Sequence, residues 1–160
     1  MYYTHPNLPN SNTNPPLWQS QYAKHATCIN TLSPHCYAPA TYTPGIEAID
    51  YLTRAAALFR TLDTHRALAR ARIEPHATRA YALADVRRAL ERFAGGRVVL
   101  TCGGSGGDVL RGVGYVFFVR GSFQTGEFVP AQEEVVGGRE DGGGCKDVVR
   151  YLPKRRKGEL

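Results

Sequence analysis

The sequence predicts a mixed fold, with helices in its middle third and short strands in its last third. Apolar residues recur at helical spacing between Ile46 and Phe93, and β-branched and aromatic residues alternate between Arg97 and Leu152. The 160 residues, 42% hydrophobic and 21% charged, have the length and composition of one globular domain.

Residues 1–16 read as an irregular lead-in, because Asn7, Asn10, Asn12 and Asn14 interleave with Pro6, Pro9, Pro15 and Pro16 and form no apolar face. From Pro16 a helix is predicted, with Trp18, Tyr22 and His25 on one side; Trp18 and Tyr22 are expected in the core. Thr43-Pro44 predicts an N-cap followed by proline at the first helical position. Ile46, Ile49, Leu52, Ala56 and Phe59 then form a stripe expected to be core, with Glu47, Asp50, Arg54 and Arg60 off it. A second helix should begin after Asp63 and stop before Pro75. The third spans Leu83 to Phe93, turns Leu83, Val86, Leu90 and Phe93 inward, and ends at Ala94-Gly95-Gly96.

Strands are predicted at Arg97–Cys102 and Val113–Arg120, the latter with Val113, Tyr115, Phe117 and Val119 on one side. A hairpin turn at Gly121-Ser122 or Thr125-Gly126 leads into Glu127-Phe128-Val129, and Val148–Leu152 is the last strand. The run Cys102 to Asp108 is glycine-rich but lacks the Gly-Lys-Ser/Thr ending of a phosphate loop, so it reads as a flexible linker. Gly137–Gly144 reads as a second, mobile glycine-rich loop.

A net charge of +6 and a pI near 9.3 favour polyanionic partners over acidic ones, although the run Lys154 to Lys157 is the kind of sequence that is commonly plain solvated surface. No apolar run is long enough to span a bilayer, so no membrane partner is expected. Four cysteines without a C-x-x-C pair argue for disulfides in an oxidising compartment rather than a zinc site; neither metal nor cofactor is expected. Met1 to His5 carries no apolar signal-peptide core, and the expectation is a precursor lacking its start or a fragment of a longer protein.

The stretch Leu17 to Tyr37 concentrates the reactive side chains: the single Trp18, the pair Lys24-His25, Cys28 and Cys36. It resembles the second active-site segment of the ribonuclease T2 family, secreted acid endoribonucleases, which reads Trp-x-His-Glu-Trp/Tyr-x-Lys-His-Gly-Thr-Cys. Trp18, Tyr22, Lys24, His25, Thr27 and Cys28 match; Ser20, Gln21 and Ala26 stand at the histidine, glutamate and glycine positions. Tyr42 to Gly45, Tyr81 to Asp85, Val119 to Ser122, Gln124 to Pro130 and Tyr151 to Lys154 are similar to stretches of fungal members, in the same order. The resemblance covers residues 17–154 and corresponds to the C-terminal part of a member, which leaves 1–16 as the lead-in and 155–160 as a basic tail.

The resemblance implies an α+β fold, an antiparallel sheet with helices packed on it. It implies cleavage of single-stranded RNA through a 2′,3′-cyclic phosphate, with one histidine as base, another as acid, and cations for the phosphorane charge. His25 takes one histidine position and Lys24 the charge-stabilising one, while Ser20 and Gln21 are degenerate positions. A segment of the His-Gly-Leu-Trp-Pro type, which carries the other histidine, does not occur in these residues. The expected chain is therefore impaired in catalysis and binds single-stranded RNA weakly, through charge. The alternative is a non-enzymic secreted binding protein that keeps the fold. The resemblance also pairs Cys102 with Cys145. Cys28 and Cys36 match cysteines whose partners lie upstream in the family, so they either pair with each other or stay free thiols. Gly114 stands in a strand where members tend to carry a large aromatic, at a cost in stability.

Overall fold

A computed structural model describes residues 15–132 and 144–154. The lead-in before Pro15, most of the loop Gly137–Gly144 and the tail 155–160 lie outside the described residues. The helices are α1 (Pro15–His25), α2 (Ile46–Thr61), α3 (Thr64–Arg70) and α4 (Leu83–Ala94). The strands are β1 (Ala80–Ala82), β2 (Val98–Gly103), β3 (Val109–Tyr115), β4 (Phe117–Arg120), β5 (Glu127–Pro130) and β6 (Val148–Arg150). The fold is α+β, and the described residues divide into two compact units: 15–61 with 119–127, and 62–118 with 128–132 and 144–154.

The second unit holds the larger core. Its sheet runs β1-β6-β3-β2, with β1–β6 and β2–β3 antiparallel. The contact of β3 with β6 is parallel, at Val109 and Arg150, so the sheet is mixed where an antiparallel one was expected. The reason is the route of the chain. β6 enters between β1 and β3 and runs against β1, which leaves it parallel to β3. The alternation of β2 buries Val98 and Leu100, and α4 lays Val86 and Leu90 against them, all at most 2% exposed. Burying each of these side chains contributes about 1.5–3 kcal/mol. Leu83 and Phe93 pack on the same cluster, as their spacing predicted. Helix α4 stops where Gly95 adopts a left-handed backbone, φ 71°. Asp63 caps α3, its carboxylate accepting from the Arg66 N–H at 3.0 Å.

Several boundaries differ from the sequence reading. The strand predicted over Val113–Arg120 is two strands broken at Val116, whose N–H donates to the Arg97 carbonyl and whose carbonyl accepts from Ala131. β3 also begins earlier, at Val109. β1 was not predicted at all. The linker between β2 and β3 is a close-packed turn with left-handed backbone at Gly104, Gly106 and Gly107. Any side chain on Gly107 would collide with the Gly144 backbone, and the Gly107 carbonyl accepts from Lys146 N–H at 3.0 Å. Glycine there lets the segment entering β6 dock. A disulfide joins Cys102 to Cys145 across this region, with Cα atoms 5.1 Å apart, and confirms the pairing the resemblance implied.

The first unit contains α1, two short 3-10 turns (Asn30–Leu32 and Pro34–Cys36), α2 and the tip of the β4–β5 hairpin. Its buried side chains are Ala26, Leu32 and Phe123. The Phe123 ring stacks on Tyr51 at 5.6 Å, Tyr51 meets Tyr22 edge-on at 6.0 Å, and the Thr31 hydroxyl accepts from the Phe123 N–H at 3.0 Å. Helix α2 begins at Ile46, not Pro44, because Thr43 to Gly45 close a turn in which the Thr43 carbonyl accepts from Ile46 N–H. Its stripe is not core. No residue of α2 is buried, and Ile49 and Phe59 are 64% and 74% exposed. Trp18, likewise expected inside, is 50% exposed. The side of α2 that packs is the one read as solvent-facing: Asp50 and Arg54 are half-buried beside Tyr51, Asp50 accepting from the Tyr37 hydroxyl and Arg54 donating to the Gly126 carbonyl, because the ring contacts of Tyr51 set which face turns inward.

Candidate functional site

Helix α1 presents the reactive pair. Pro15 and Pro16 suit a first turn, where backbone N–H groups have no helical partner. Lys24 and His25 occupy the last turn, where positive charge complements the unsatisfied carbonyls. Both side chains are exposed. Ser20 and Gln21 lie one turn earlier, four positions before Lys24 and His25 respectively, and are half-buried. The turn continues past the helix: Ala26 N–H donates to the Tyr22 carbonyl at 2.9 Å and the Thr27 hydroxyl to the Ala23 carbonyl at 3.2 Å. Ala26 is 1% exposed, so only a very small residue fits at this place in the motif.

A cleft of about 310 Å³ adjoins this turn, lined by Tyr22, Thr27, Asn30, Ser33 and His35 among others. Lys24 and His25 do not line it. The imidazole facing the cleft is His35, whose Nδ1 lies 2.9 Å from the Ser33 hydroxyl. Sequence reasoning assigned His35 no role; its only local signal is the serine two residues before it. Nearby, the Tyr37 hydroxyl donates to the Asp50 carboxylate at 3.0 Å. Burial pushes the Tyr37 phenol up to about 12; the Gln124 amide opposes that rise and Asp50 adds to it. Cys28 and Cys36 are both exposed, and they are not joined to each other. Among the described residues no group of three His, Cys, Asp or Glu side chains is placed to hold a metal ion, and no helix is long and apolar enough to cross a membrane.

The arrangement offers a primary amine and an imidazole at successive positions of an exposed helix end, groups of the kind that neutralise a phosphate and move a proton. Comparison with known proteins supplies the family. The model of the ribonuclease T2 family matches residues 1–129, and the chain belongs to that family. It is 41% identical to ribonuclease Trv of Hypocrea rufa over 139 residues, which cover 87% of this chain and 55% of that protein. Identity to a ribonuclease T2-like protein of Emericella nidulans is 36% over 140 residues, covering 88% of this chain and 31% of the relative. The crystal structure of Actibind, a T2 ribonuclease, superposes with a TM-score of 0.75 at 32% identity, over 88% of this chain and 56% of that one. The chain thus spans about half the length of such relatives, or less.

Proposed function

We propose that this chain is a T2-type RNA-binding domain in which His25 and Lys24 hold an acid/base position and the phosphate-charge position, and that the 160 residues alone cleave RNA very slowly. The carrying observation is the exposed Lys24-His25 pair at the end of α1, in register with the family motif, above half-buried Ser20 and Gln21. His25 can give or take one proton. A transfer from the 2′-hydroxyl to the leaving 5′-oxygen needs a second group, and Ser20 and Gln21 have no titration near neutral pH. Loss of one such partner removes about 10²–10⁴ in rate. Binding is electrostatic and salt-sensitive, with single-stranded RNA as the partner. The disulfide supports an oxidising, extracytoplasmic setting.

A second reading, a binding protein with no catalytic role, is favoured by Ser20 and Gln21 themselves. Incubation of the chain with a homopolymer RNA at mildly acidic pH separates the two. Slow release of 2′,3′-cyclic phosphate ends, lost in His25→Ala, supports the residual enzyme. Binding without any such product supports the second reading, and robust turnover overturns the impairment.

A further inference from the structure

Helix α3 ends in a closure that glycine usually makes. The Ile73 N–H donates to the Leu68 carbonyl at 3.0 Å and the Arg72 N–H to the Ala69 carbonyl at 2.9 Å, while Leu68 and Ile73 pack in one buried cluster. This is the Schellman pattern, in which the residue after the C-cap takes a left-handed backbone and is most often glycine. Here it is Arg72, φ 60°, the one non-glycine residue with positive φ among the described residues. A Cβ disfavours that conformation. Local rules are broken most often where a side chain serves a site.

The Arg72 side chain lines a cleft of about 330 Å³ with Tyr81, Asp85, Arg88 and Arg92, over buried Ile73. Arg88 is paired with Asp85 at 2.8 Å. Arg72 and Arg92 have no acidic partner among the described residues. The Tyr81 hydroxyl donates to the Glu74 carbonyl at 2.8 Å and accepts from its N–H at 3.1 Å, which holds the ring in place as one wall. From Leu62 to Leu100 the chain carries eight arginines against four carboxylates, so the surroundings reinforce the positive field.

We infer that this cleft is an accessory site for the phosphodiester backbone of single-stranded RNA, with Arg72 and Arg92 as its phosphate ligands. Guanidinium forks match phosphate oxygens two at a time, and two unpaired forks beside a fixed aromatic face suit a strand with its bases unstacked. The inference rests on the reading of this chain as an RNA-binding domain. Arg72 thus brings a charge to the cleft at a position where the backbone would suit glycine better.

Binding of a fluorescent 2′-O-methyl uridine oligomer, which cannot be cleaved because the attacking hydroxyl is blocked, tests this by anisotropy across a salt series. Arg72→Gly suits the left-handed position, so this variant should melt higher than the parent while binding more weakly. The Arg72→Gly, Arg92→Ala double variant should bind about tenfold more weakly at low salt, with a slope of log K against log salt shallower by about 1.4, or 0.7 for each phosphate left unneutralised. A charge-matched control, Arg60→Ala with Arg111→Ala, alters exposed arginines outside the cleft and should stay within about twofold of the parent. Equal losses in both pairs, or an unchanged slope in the first, overturn the site. Displacement of the arginine-dependent part by inorganic phosphate at matched ionic strength, with no gain for longer oligomers, assigns the cleft to free phosphate and overturns the RNA assignment. A parent chain that does not bind the oligomer sinks the RNA-binding reading as well. Binding that ignores Arg72 and Arg92 sinks only the accessory site.

Discussion

Replacing both cysteines of the bridge, Cys102→Ala with Cys145→Ala, should destabilise the second unit by about 4 kcal/mol. The bridge joins residues 43 apart in sequence and closes a loop containing β3, β4 and β5. For a loop of that length the chain-entropy estimate is about 13 cal/mol/K removed from the unfolded ensemble, or about 4 kcal/mol at 25 °C. Both sulfurs also pack on the buried cluster of Leu90, Leu100 and Val149, so their removal adds a smaller packing loss. Urea unfolding followed by far-ultraviolet circular dichroism is the suitable assay, since the single tryptophan, Trp18, belongs to the other unit. With a slope near 2 kcal/mol/M, the midpoint should fall by about 2 M. The slope itself should rise, because the open chain exposes more surface when unfolded. A loss under about 1 kcal/mol with an unchanged slope would refute the reasoning. It would mean that the unfolded chain keeps β2 near the segment entering β6 without a covalent link.

Gly114 faces Val99 across the β2–β3 ladder, where an added Cβ would meet Val99 at ordinary contact distances of 3.6–3.7 Å. Gly114→Thr should therefore stabilise by about 0.5–1 kcal/mol, read as a higher urea midpoint, and a lower midpoint would show that the strand needs glycine there. Alkaline pH should act through the tyrosines. The Tyr37 phenol is raised to about 12, and burial also raises Tyr22, Tyr51, Tyr115 and Tyr151. The folded state holds these protons more tightly than the unfolded one. Their contribution is thus complete below pH 10 and is lost as pH climbs towards 12. Melting scans from pH 9 upward that show no fall in Tm would contradict the tyrosine burial.

Much of the second unit was legible because its signals are local and mutually consistent. The α4 stripe, its glycine stop and the alternation of β2 each fix one face of one core. β1 was invisible because Ala80-Tyr81-Ala82 carries no β-branched residue and owes its strand form to pairing with β6. In α2 the period revealed the helix but pointed to the wrong face, since the contacts of Tyr51, not the aliphatic stripe, decide which side is half-buried. For Lys24 and His25 the motif supplied both positions, and the helix end leaves both side chains in solvent. The cleft lined by His35 was not legible, since it is made by two 3-10 turns with no periodic signature. Arg72 hid for the opposite reason. Its helix end follows a pattern that glycine normally announces, and the sequence shows an arginine instead.

The place of β6 in the sheet has a consequence for how the chain is made. Among the described residues β6 comes last in sequence, yet it sits between β1 and β3 and holds both sides. Its neighbourhood supplies the Leu83 and His76 backbone bonds and the Arg150–Asp108 ion pair at 2.7 Å. Ala80 therefore waits for Arg150, a delay of roughly seventy residues, or about 4–14 s at ribosomal speeds of about 5–20 residues per second. Throughout that interval residues 80–82 have no partner strand, and one edge of β3 presents unpaired amides and carbonyls. Once β6 is in place it closes the inner sides of β1 and β3, and β1 and β2 become the edges of the sheet.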